Sequence, residues 1–121
     1  MKRIRQIHLY LGVLLAPMIL FFALSGALQT FRLQDSPKGS TYTPPSWVVW
    51  VADVHKDQRP SHVQGTPRST PMKWFVVLMS LGLIATSILG VYMAFKQNRD
   101  KRLVIGLIIL GLVLPLVLLY L

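Results

Sequence analysis

Three histidines, no cysteine and no glutamate set the limits of the chemistry open to this chain. His8 is followed by Gly12, which a helix places beside it on the same face. An imidazole next to a missing side chain leaves room for a flat macrocycle and can serve as an axial ligand to haem iron. The competing reading is an interfacial histidine bonded to a lipid headgroup or a neighbouring carbonyl. His55 closes a Trp-rich segment, and His62 lies in the loop beyond it.

Other chemistry lacks its residues. All four acidic side chains are aspartates, and none stands in an apolar run, so carboxylate-based ion or proton transfer at mid-membrane has no candidate. Ser25, Ser80, Thr86 and Ser87 have no base near them in sequence; such hydroxyls in a membrane bond a neighbouring helix or their own backbone. Neither a phosphate-binding glycine loop nor a metal-spaced Cys/His cluster is present. An autonomous enzyme is not expected.

The elements that must position these residues are read from hydropathy. Residues 7–31, 72–95 and 103–121 form three apolar runs, each close to the roughly 20 residues a bilayer core requires. Within them stand no acid and only two bases, His8 and Lys73, both near an end. Lipid offers no partner to backbone N–H and C=O, so the runs must be helices. The expected fold is an all-α membrane protein with three transmembrane helices, a single membrane domain over 1–121. The net charge of +9 does not point to nucleic acid, because the basic residues border the spans and form no soluble face. They vote on topology instead: Lys2, Arg3 and Arg5, and Lys96, Arg99, Lys101 and Arg102, all favour the cytoplasmic side. The N-terminus and the 96–102 loop are then inside, and the 32–71 loop and the C-terminus outside. Ser25-Gly26-Ala27 after a basic start has the layout of a signal-peptidase site, but the apolar run is longer than a cleavable signal needs and is read as an anchor.

Within this frame, Pro17 removes a backbone donor from the first span and is a place for a bend. In the outer loop, 46–54 is read as a short interfacial helix with Ser46 as N-cap and Trp47, Trp50, Val51 and Val54 on one face. A strand suits its β-branched and aromatic composition nearly as well, but would have no sheet to join. As interfacial anchors, Trp47 and Trp50 suit headgroup level. Gly82, Thr86 and Gly90 form a small-xxx-small stripe for helix packing, against this chain's own helices or a partner's. The third span, uncharged, reads as an anchor. His8 and the outer loop lie about 35 Å apart along the first span, so His8 and His55 of one chain cannot share one iron.

Several of these segments resemble a family. Arg5-Gln6-Ile7-His8-Leu9-Tyr10-Leu11-Gly12, the following apolar stretch with Pro17, and Ser25-Gly26 with Phe31 are similar to the opening helix of PepSY-associated transmembrane proteins. Val54-His55-Lys56 resembles the Leu-His-Lys/Thr element before that family's next helix. Leu81-Gly82, Thr86-Ser87, Gly90 and the Tyr92–Lys96 aromatic and basic end resemble the helix after it. The ordered set covers about half of the chain. It implies kinship with membrane ferric-siderophore reductases, whose helix histidines bind haem b, and it places His8 and His55 at the two family histidine positions on opposite faces of the membrane. The chain departs from those relatives in having three spans, an outer loop too short for the PepSY domain, one matching histidine per face and no flavin or nicotinamide motif. The resemblance therefore implies a membrane subunit without transferring the reductase activity. The expected partners are the bilayer and a larger membrane complex or a second copy, in a bacterial inner membrane; haem b-dependent electron transfer is the alternative.

Overall fold

The computed structural model describes residues 1–60 and 65–121; His62 lies outside the described residues. Four helices and no strand are found among them: α1 (Lys2–Thr30), α2 (Ser46–Asp57), α3 (Thr70–Gln97) and α4 (Lys101–Leu119). Helices α1, α3 and α4 are each long and apolar enough to cross a membrane. The protein is an all-α membrane protein with a short helix between its first two spans.

Local chemistry sets the helix limits. Ser69 caps α3 by accepting from the Met72 N–H at 3.3 Å, and Pro71 occupies the first turn, where its missing N–H costs nothing. The carboxylate of Asp100 caps α4 by accepting from the N–H groups of Arg102 and Leu103 at 3.1 and 3.2 Å. Ser46 is not the cap of α2 but its first residue; the Pro45 carbonyl accepts from Val48 and Val49 instead, the extended backbone at Pro45 aiming it there. At its far end α1 closes with paired bonds, Leu33 N–H to Leu28 O and Arg32 N–H to Gln29 O, with Arg32 left-handed at φ 54°. Helix α1 continues unbroken through Pro17.

Packing is sparse, as expected where lipid solvates the remaining apolar surface. Helix α1 runs antiparallel to α3, since Leu11 and Leu15 lie against Gly82 while His8, earlier in α1, meets Thr86 and Gly90, later in α3. Leu15, Met79 and Thr86 are buried in this pair, and Ser25 of α1 is buried nearer the loop end. Leu15 Cδ1 comes to 2.9 Å from where a Gly82 Cβ would sit, so the contact depends on the glycine. Helix α2 lies on the loop end of α1 and buries Val48 and Ala52. Its tryptophans point away: Trp47 is 59% and Trp50 48% exposed. Helix α4 meets only α3, and of its residues Val104 alone is buried.

The connection after α2 is tied back to it. Trp50 Nε1 donates to Pro60 O at 3.0 Å, Ser69 N–H donates to Gln58 O at 3.1 Å, and Arg68 pairs with Asp57 at 2.8 Å. Together these hold the start of α3 beside the end of α2.

Candidate functional site: two anchored histidines

His8 and His55 occupy opposite ends of α1, and each is held in the same way. At the N-terminal end, His8 Nδ1 lies 3.0 Å from Thr86 Oγ1 of α3, and its Cε1 rests over Gly90, 3.5 Å from where a Cβ would be. At the loop end, His55 Nδ1 lies 2.6 Å from Ser25 Oγ of α1, with its Cε1 over Gly26 at 3.7 Å. In each case a hydroxyl on a neighbouring helix takes Nδ1, and a glycine on that helix admits the ring edge. Gly26 follows the hydroxyl residue directly, and Gly90 follows Thr86 by one turn.

The outer pair is the more constrained. Ser25 is 1% exposed, and its Oγ also lies 2.7 Å from Phe21 O and 3.1 Å from Phe22 O. A hydroxyl has one proton. Donated to the Phe21 carbonyl, it leaves the oxygen to accept from His55 Nδ1–H, so that Ser25 makes two bonds in place of one. That count assigns the Nδ1–H tautomer and leaves Nε2 with its lone pair. The Phe22 ring packs on the imidazole, centroids 4.7 Å apart. Burial first, and the adjacent Lys56 ammonium second, lower the His55 pKa from its ordinary value of 6.5. The neutral ring is therefore the favoured form near neutral pH.

Ser25 and His55 have the residue types of a nucleophile and its base, but not the access. A serine this buried, its hydroxyl turned into its own helix, is not presented to a substrate.

His8 has more space around it. Gly12, one turn on, has no heavy atom within 4 Å of where its Cβ would sit. Past Gly90, a hollow of about 470 Å³ is lined by Arg5, Met93, Ala94, Gln97 and Asn98.

The sequence reading named His8, His55 and the Gly82/Thr86/Gly90 stripe as separate features. The structure brings His8 onto that stripe and keeps His55 apart from both. His8 and Ser25 are seventeen residues apart on α1, about 25 Å at 1.5 Å per residue. This is shorter than the expected separation, because α2 docks before α1 ends, and still too far for one iron. The partners of both rings were missed. Neither the hydroxyl of Ser25 nor that of Thr86, the latter part of the packing stripe, is paired with a histidine by the sequence, since nothing in it links positions 30 and 78 residues from their histidines. No group of three or more His, Asp or Glu side chains able to hold a metal ion occurs among the described residues.

Comparison with protein-family models, with curated proteins and with solved structures returned no match.

Proposed function

We propose that this chain is a small PepSY-like subunit of a bacterial inner membrane, with a structural or accessory role in a larger membrane assembly, any redox chemistry belonging to that assembly. The N-terminus and the α3–α4 connection face the cytoplasm in this reading, because Lys2, Arg3, Arg5, Arg99, Lys101 and Arg102 gather at that end. Trp47 and Trp50 then anchor α2 at the outer headgroups.

The observation that carries the reading is α4. It presents 19 residues, touches only α3, and leaves Gly106 and Gly111 with nothing within 4 Å of their Cβ positions. Small residues in a span serve close helix approach, and these have no approaching helix among the described residues. A photo-crosslinking residue at Leu110 or Leu114 tests this in native membranes. A discrete protein adduct that Gly106→Leu with Gly111→Leu abolishes is the expected result. Crosslinks to lipid alone overturn it.

A second reading, haem b-dependent electron transfer, is favoured by one feature. Both imidazoles are fixed through Nδ1, with no hydrogen bond at Nε2 among the described residues, which is how a ligating histidine is commonly oriented. Each end offers one such ring among the described residues, so a bis-histidine iron draws its second ligand from another copy or a partner. A reduced absorption spectrum of protein purified with its neighbours decides it. A sharp α-band lost in His8→Ala or His55→Ala supports haem; a spectrum unchanged by either substitution removes the reading.

A further inference from the structure

We infer that the cytoplasm-proposed end of the bundle carries a binding site for one anionic phospholipid, its phosphate at Arg5 and one acyl chain between α3 and α4. The inference needs only that the helices span a bilayer, and does not depend on the subunit reading or on orientation.

Two hollows meet along α3. The first, of about 470 Å³, has Arg5, Gln97 and Asn98 as its polar wall. The second, of about 400 Å³, is walled by Val91 on one side and Val104, Leu107 and Ile108 on the other. Gly90, Ala94 and Asn98 line both, so the polar and apolar hollows adjoin along one stripe of α3. The order along the helix is that of a lipid: hydrogen-bond donors and a guanidinium at the span limit, then a branched aliphatic slot toward the membrane centre.

Charge selects the headgroup. Arg5 is the charged residue of the polar hollow, and a guanidinium with two carboxamides supplies several N–H donors to phosphate oxygens. The acid that stands near in sequence, Asp100, is committed to the N–H groups of Arg102 and Leu103 and is the cap of α4. Lys2, Arg3, Arg99, Lys101 and Arg102 are exposed around this end and add a general attraction for anionic headgroups. The slot has a geometric cause. Helices α3 and α4 are in sparse contact, and Val104, near the start of α4, is its buried residue, so the groove beyond it is left for an acyl chain to fill.

The test is native mass spectrometry of the intact chain released from detergent supplemented with phosphatidylglycerol or with phosphatidylcholine. Wild type is expected to retain one phosphatidylglycerol in preference to phosphatidylcholine. Arg5→Gln lowers that retention about fivefold, the effect of one basic residue near a charged surface. Ala94→Trp, which fills the junction of the two hollows, lowers retention of either lipid. The control is Lys2→Gln with Arg3→Gln, which removes more charge but no lining residue, and should leave the single adduct in place. Equal retention of the two lipids by wild type overturns the site. So does a loss in the control as large as in Arg5→Gln, which reduces it to diffuse surface charge. Circular dichroism of each variant shows whether its helices are retained, and the charge-neutral pair Gln97→Leu with Asn98→Leu, which removes both carboxamides of the polar hollow, gives a second route to the same readout should Arg5→Gln fail to fold.

Discussion

The two ends of α1 use one device for different tasks. At the N-terminal end, His8 and Thr86 join two spans that already meet through Leu15 and Gly82, so their bond adds to an existing contact. At the loop end, His55 and Ser25 join α1 to a helix of 12 residues, too short to be stable alone in water. There the polar pair, with Phe22 and the buried faces of Val48 and Ala52, supplies the attachment of that helix to α1. The same hydrogen bond therefore matters more where less apolar packing surrounds it.

Substitutions can break this contrast. The largest effect is expected from Gly82→Leu, which drives a side chain into Leu15 and should destabilise the α1–α3 pair by about 1–3 kcal/mol, read by denaturant titration in mixed micelles. Ser25→Ala comes next. It strips His55 Nδ1 of its partner at a part-buried site, at about 1–2 kcal/mol, and hydrogen exchange should quicken in 46–57 and not in α3. Thr86→Val keeps the volume and removes the hydroxyl, with a loss of about 0.6 kcal/mol, the average for such bonds between spans. Equal effects of Ser25→Ala and Thr86→Val would erase the distinction between the ends.

The smallest effect is with pH and sharpens the comparison. Undocked, His55 takes up a proton near its ordinary 6.5; docked, it does so only at lower pH. The undocked state thus binds more protons in the interval between, and docking of α2 weakens as pH falls through it, being fully present above 6.5. Protection factors of the α2 amides, corrected for intrinsic exchange, should fall between pH 7.5 and pH 5, and His55→Gln should remove that dependence.

The spans were legible because lipid imposes one simple rule, a continuous apolar run of sufficient length. The short helix at 46–54 was legible as a helix for lack of any strand to pair with, and extends to Asp57. Which of its faces turns inward was not. Val48 and Ala52 pack on α1, while the more conspicuous tryptophans turn out, and an apolar segment with no polar side carries no signal for that choice. The ring partners were hidden for a related reason. A histidine one turn into α1 finds Thr86 only once the register of two antiparallel spans is set, and that register rests on small residues whose pattern names no partner.

The helices also differ in length. Helices α1 and α3, of 29 and 28 residues, are about 43 Å long, whereas α4, of 19, is about 28 Å. A hydrocarbon core near 30 Å is shorter than either of the longer pair, so α1 and α3 lean across it or carry their polar ends into the headgroups. A thicker membrane would be met by that pair standing more upright.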